Sequence, residues 1–215
     1  MTLVLISSVV CSCFYGFVYL RDPPSLIRTI LKTLPIALLA VYAFYSDSSW
    51  LLIAALAFCA LGDAALSRDG EAAFMAGLGS FLIGHIFYII VLLYLSDISP
   101  DLSPMRLLGC VGALIYAVVV ARWMWPHLAE MKLPVTVYMI AILLMGAAAI
   151  TAPTYYWPAM VGAALFIASD SVLAGETFVW KDRVPKWAPL FIWVTYYFGQ
   201  ALIALTALEG IRSFA

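Results

Sequence analysis

Two aspartates lie in stretches of chain that are otherwise apolar. Asp170 falls in Ile167-Ala168-Ser169-Asp170-Ser171-Val172-Leu173-Ala174, inside an apolar run from about Met160 to Ala174. Asp63 falls in Ala60-Leu61-Gly62-Asp63-Ala64-Ala65-Leu66, and both stretches read small residue, Asp, two residues, Leu. A carboxylate near the centre of a membrane helix costs roughly 2.5–3.5 kcal/mol, so it persists mainly where it faces a cavity, a partner or a reaction. Two such carboxyls suit acid–base chemistry, one giving a proton and the other taking it. They equally suit the carriage of protons or cations.

Other chemistries lack their residues. His85 and His127 are the only histidines, which rules out a three-His zinc centre. There is no H-E-x-x-H, no G-x-S-x-G elbow and no Walker loop. Cys11, Cys13, Cys59 and Cys110 sit in apolar runs without a C-x-x-C pair, so they read as small buried hydrophobes. An intramembrane aspartyl protease would also use two aspartates. Its G-x-G-D motif is not met, because Ala60 stands where the first glycine should be, and Ser169 rather than Tyr precedes Asp170. Neither a metal nor a cofactor is expected.

The elements that must position these carboxyls are membrane spans. The chain is 66% hydrophobic and 11% charged, against about a quarter charged in a soluble domain. Mean hydropathy is +1.05. A net charge of -1 gives no electrostatic case for nucleic acid. The composition predicts an all-α, polytopic membrane helix bundle, with residues 1–215 forming one integral membrane domain. Eight stretches approach the roughly 20 apolar residues of a span: 3–20, 29–45, 49–67, 73–95, 104–125, 134–150, 156–178 and 187–208. The second and sixth are short. The first has no basic segment before it and no clear small-residue cleavage site, and reads as a retained span. The breaks are Arg21-Asp22-Pro23-Pro24-Ser25, Ser46-Asp47-Ser48-Ser49, Arg68-Asp69-Gly70-Glu71, the loop 96–104, the loop framed by Pro126-His127 and Lys132-Leu133-Pro134, Thr151-Ala152-Pro153-Thr154, and the basic loop 181–186.

Orientation follows from loop cations. Arg21, Arg28, Arg68, Arg122, Lys132, Lys181, Arg183 and Lys186 lie on one side, and Arg106 and Arg212 on the other. This places the odd-numbered loops in the cytoplasm and both termini outside; in a bacterium the membrane would be the inner one. Lys32, Asp63 and Tyr138 then lie about one turn in from the cytoplasmic side, and Asp170 roughly 12 Å in. His85, Tyr88, Tyr196, Tyr197 and Gln200 lie roughly 15–23 Å in by the same rise. Helical spacing aligns His85 with Tyr88, and Tyr196 or Tyr197 with Gln200. These groups could line a pocket open to the cytoplasmic leaflet. Each also has a plainer reading: Lys32 could snorkel, His85 could be a satisfied core group, and the tyrosines could be interfacial. Trp123, Trp125, Trp180 and Trp187 read as interface belt residues. The series Lys32…Pro35, Gly62-Asp63 also resembles Lys132…Pro134, Ser169-Asp170, which suggests a 4+4 parallel repeat.

Taken together, Lys32-x-x-Pro35, Gly62-Asp63-x-x-Leu66, Gly84-His85-x-x-Tyr88, Ser169-Asp170-x-x-Leu173-Ala174 and Tyr196-Tyr197-x-x-Gln200 resemble the YhhN family, the lysoplasmalogenases. The order, spacing and eight-span length agree over nearly the whole chain. The resemblance implies hydrolysis of the vinyl-ether bond of lysoplasmalogens, giving a fatty aldehyde and a glycerophosphocholine or glycerophosphoethanolamine. Family members divide between such hydrolases and bacterial proteins of unproven substrate.

The chemistry also fits the residues themselves. Vinyl-ether hydrolysis starts with protonation of the alkene carbon and leaves an oxocarbenium ion, which water attacks to give a hemiacetal. Glycosidases manage a similar cation with two carboxyls. An apolar pocket favours the neutral acid, and two close carboxyls share one proton. Asp170, in the more apolar setting, is expected to hold the proton. Asp63, nearer water and Lys32, stays ionised. Lys32 could instead hold the lipid phosphate. His85, Tyr88, Tyr138, Tyr196 and Tyr197 would position headgroup or water, and Gln200 would bond an aspartate. The competing class is a proton- or cation-coupled transporter using the same aspartates, for which ion-dependent uptake into vesicles would be the discriminating result. The apolar outer half of the spans offers such a transporter no polar path.

Overall fold

In the computed structural model the described residues are 1–95 and 101–212, and they are organised as eight main helices. They are α1 (Thr2–Phe14), α2 (Leu26–Tyr45), α3 (Trp50–Leu66), α4 (Glu71–Leu95), α5 (Pro104–Met124), α6 (Lys132–Thr151), α7 (Trp157–Ala174) and α8 (Ala188–Arg212). The chain leaves α1 and α7 through single π-helical turns, Tyr15–Tyr19 and Gly175–Trp180. Seven helical stretches are long and apolar enough to cross a membrane, and α3, at 17 residues, is shorter. Leu3, Ile6 and Phe17 in the first span, and Leu108, Leu114 and Val118 on α5, stand exposed. Water would penalise such faces and a bilayer solvates them. The chain is a multi-pass membrane protein.

The expected breaks are real, with local causes. Ser25, in an extended conformation, caps α2 by accepting from the Arg28 amide, and Ser49 caps α3 by accepting from Leu51. Asp47 and Gly70 turn the chain with positive φ, 53° and 102°. Pro104 opens α5, where a missing amide costs nothing. The expected loop 96–104 lies outside the described residues at 96–100.

Two expectations are corrected. The second and sixth spans are not short: α2 and α6 are both 20 residues, and α3 is the shortest of the eight-span set apart from α1 without its π turn. α2 starts earlier because Ser25 supplies its cap. Lys132 is not a loop residue. It opens α6, with Pro134 in the same first turn, where proline is tolerated, and it packs over the Trp125 ring at 5.3 Å.

The helices gather into two compact units, one comprising Met1–Val91 with the chain from Ala204, the other Leu92–Ile203. In the first, α1 packs on α2 and α2 on α3. The Ser8 hydroxyl donates to the Pro35 carbonyl at 2.7 Å and ties α1 to α2. In the second, α5 packs on α6 and α6 on α7. Here α7 and α8 cross at two glycines: a Cβ on Gly162 would lie 2.8 Å from the Gly199 carbonyl oxygen, and one on Gly199 equally close to that of Gly162. Small residues allow such close backbone approach in membranes. Gly162→Ala must push α7 off α8 and should destabilise by about 1–3 kcal/mol. Gly79→Ala, in α4 with open space around it, should be neutral or stabilise by up to about 1 kcal/mol. Thermal unfolding in detergent, followed by circular dichroism, reads both.

Candidate active site

In the first unit, α2 and α3 pack through a polar ladder. Lys32 Nζ lies 3.9 Å from Asp63 Oδ1, and the Asp63 side chain is 3% exposed. One turn toward the helix ends, Thr29 Oγ1 and Ser67 Oγ share a hydrogen bond of 2.6 Å. Arg28 Nη1 donates to the Ser67 carbonyl at 3.2 Å. Asp63 and Ser67 are four residues apart on α3, as Arg28 and Lys32 are on α2, so each helix offers one face to the other.

α4 presses on α3 through the glycines of the two motifs. A Cβ on Gly62 would lie 2.6 Å from the Phe81 ring, and one on Gly84 2.8 Å from Cys59 Sγ. These glycines admit the close packing that seats Asp63 and His85 on adjoining helices. His85 is buried, and its Nδ1 lies 2.6 Å from the Phe81 carbonyl oxygen. A carbonyl only accepts, so Nδ1 carries the proton. Tyr88 is buried on the same face of α4.

In the second unit, the Tyr138 hydroxyl of α6 donates to Asp170 Oδ2 of α7. Ser169 turns away from that bond and donates to the Ile192 carbonyl at 2.9 Å, tying α7 to α8. Tyr196 meets the Phe166 ring edge-on at 5.3 Å, and Tyr197 stacks on Trp193. Tyr196, Tyr197 and Gln200 are all buried. The belt tryptophans also contact one another: Trp123 meets Trp180 at 5.7 Å and Trp180 meets Trp187 at 6.1 Å.

The two halves repeat one arrangement. Counted from Leu26, Lys32 is the seventh residue of α2; counted from Lys132, Tyr138 is the seventh of α6. Asp63 is the fourteenth residue of α3 and Asp170 the fourteenth of α7. In each half the second helix gives a donor to a carboxyl on the third. By position in the helix, Lys32 corresponds to Tyr138, whereas the sequence comparison set it beside Lys132.

The structure therefore brings together Lys32 with Asp63, and Tyr138 with Asp170. The expectation that Asp63 lies nearer water is corrected: Asp63 is buried between α2 and α3 and Asp170 only half-buried, so Lys32 rather than water is what balances the Asp63 charge. Sequence reasoning missed Arg28, treated only as a loop cation, and its partner Ser67. Their signal was the four-residue spacing to Lys32 and Asp63. An apolar cavity of about 210 Å³ between α5 and α6, lined by Leu114, Val118, Trp125, Leu128 and Met139 among others, holds none of the candidate residues.

Comparison with known proteins gives a consistent picture. The model of the YhhN family matches residues 27–207. A rat protein named lysoplasmalogenase TMEM86B is 31% identical over 213 residues, covering 94% of this chain and 82% of its own. The human protein of that name is 32% identical over 206 residues, covering 92% and 83%. A Mycobacterium bovis protein named lysoplasmalogenase is 35% identical over 166 residues, covering 69% of this chain and 61% of its own. No solved structure matches.

Proposed function

Because the chain belongs to the YhhN family and resembles proteins named lysoplasmalogenase along most of its length, we propose that it is a membrane ether hydrolase. It cleaves the vinyl-ether bond of lysoplasmalogens to a fatty aldehyde and glycerophosphocholine or glycerophosphoethanolamine. The observation that carries this reading is the repeated pairing of an intramembrane carboxyl with a donor from the preceding helix.

The reaction balances on two carboxyls without a metal. Asp170, as the neutral acid, protonates the alkene carbon away from the ether oxygen. Tyr138, donating to Oδ2, holds the carboxyl in place for that transfer. Asp63, a carboxylate balanced by the Lys32 ammonium, takes a proton from the water that attacks the oxocarbenium carbon. The hemiacetal then collapses: its hydroxyl proton returns to Asp170, the carbon–oxygen bond to glycerol breaks, and Asp63 protonates the departing oxygen. Both groups end as they began. His85, Tyr88, Tyr196, Tyr197 and Gln200 position headgroup and water. The charge bias of the loops supports odd-numbered loops in the cytoplasm and both termini outside.

The test is aldehyde release by the detergent-purified protein from a 1-alkenyl lysophospholipid, with 1-alkyl and 1-acyl lipids alongside and chelator present. Aldehyde from the alkenyl lipid alone, unaffected by chelator, is expected. No aldehyde across headgroups and pH would overturn the assignment.

A further inference from the structure

We propose that the α2–α3 seam of the first unit holds a phosphate subsite built on Arg28, which receives the phosphodiester of the lysophospholipid headgroup. The choice of ligand rests on the hydrolase reading above. The site itself rests on the ladder. Arg28 and Lys32 lie four residues apart on one face of α2. Arg28 spends Nη1 on the Ser67 carbonyl, which anchors the guanidinium against the end of α3. Its Nε is buried and has no partner. A buried charged donor left unmatched is costly, and an anionic oxygen is its natural complement. Guanidinium groups bind phosphate through paired donors in a fixed fork. The first turn of α2, where Arg28 sits, also carries the positive end of the helix dipole.

The spacing fits a lysophospholipid lying as it does in a bilayer. Four residues of helix separate Arg28 from Lys32 by about 6 Å along the axis. That is close to the span of a glycerol backbone. A phosphate held at Arg28 sets the vinyl ether one turn deeper, level with the Lys32–Asp63 pair, and lets the alkyl tail run on toward the bilayer centre. Lys32 faces Asp63 across the seam, so the geometry assigns the phosphate to Arg28 and the carboxylate to Lys32.

Binding of a 1-alkyl lysophospholipid, which is not cleaved, tests the subsite apart from turnover. A 1-alkylglycerol of equal chain length serves as the phosphate-free control. With full-length protein in detergent and tryptophan fluorescence as the readout, wild type should prefer the phospholipid. Arg28→Gln should weaken phospholipid binding about ten- to a hundredfold and leave the alkylglycerol unchanged. Arg28→Lys keeps the cation but loses the fork, and should recover part of the loss. Equal weakening of both ligands would show that Arg28 only caps α3, and unchanged binding would remove it from the site; either overturns the proposal. Displacement of the lipid by millimolar inorganic phosphate would mark a free-phosphate site and overturn the lipid assignment. In turnover assays Arg28→Gln should raise KM and spare kcat. Should wild type release no aldehyde, the vinyl-ether reading fails while the binding result still decides the subsite.

Discussion

Asp170→Asn should lower aldehyde release by about a hundredfold to ten-thousandfold, the range a positioned general acid supplies. Asparagine keeps the size of the side chain and keeps an oxygen to accept from Tyr138. It cannot deliver a proton to carbon. Helix content and thermal midpoint should stay close to wild type, because the hydrogen bond that ties α6 to α7 survives. Asp63→Asn should lose turnover to a similar extent for a different reason: the amide takes no proton from water and does not stabilise a cation. The two variants separate by pH. If Asp170 is the acid, raising the pH should depress wild-type activity as that acid loses its proton, and residual activity in Asp170→Asn should lack that decline. Near-normal turnover in either variant would remove that residue from the chemistry.

Lys32→Met should be the more damaging of the two donor substitutions. Lys32 is 16% exposed and Asp63 3% exposed. Removing one partner of a buried ion pair leaves the other charge uncompensated, at a cost of about 3–5 kcal/mol. Tyr138→Phe removes a hydroxyl donor but no charge, and should cost about 1–3 kcal/mol. Denaturation in detergent should rank them in that order. The double variant Lys32→Met, Asp63→Asn should recover much of the stability lost in Lys32→Met, because no charge is left without its counterpart. It should recover no activity. If Lys32→Met unfolds no more readily than Tyr138→Phe, the Lys32–Asp63 pair is weaker than its burial implies. Tyr138 acts on Asp170 as a positioning residue, so Tyr138→Phe should also shift the pH profile of turnover. A purely structural tyrosine would leave that profile in place.

The sequence by itself determined the membrane class, the helix count and most helix limits. Twenty-residue apolar runs broken by Pro23-Pro24, Ser48-Ser49 and Asp69-Gly70 carry that information locally, in hydrophobicity and backbone preference. It also exposed Asp63 and Asp170, because a carboxyl in an apolar run is conspicuous wherever the helix ends up. Where a cap rather than hydropathy sets a boundary, the reading slipped: α2 starts at Leu26 under Ser25, earlier than its apolar run suggests. Only the tertiary structure decided the partners. Lys32 could have snorkelled, but α2 packs on α3 and sets it against Asp63. Tyr138 reads as one tyrosine among many until α6 places it on Asp170. Arg28 looks like a loop cation until Ser67 anchors it to the end of α3. Each of these depends on which helix faces meet across a seam, and that is set by side-chain fit between segments distant in the chain, such as Gly162 against Gly199. Composition and spacing within one helix carry no record of it.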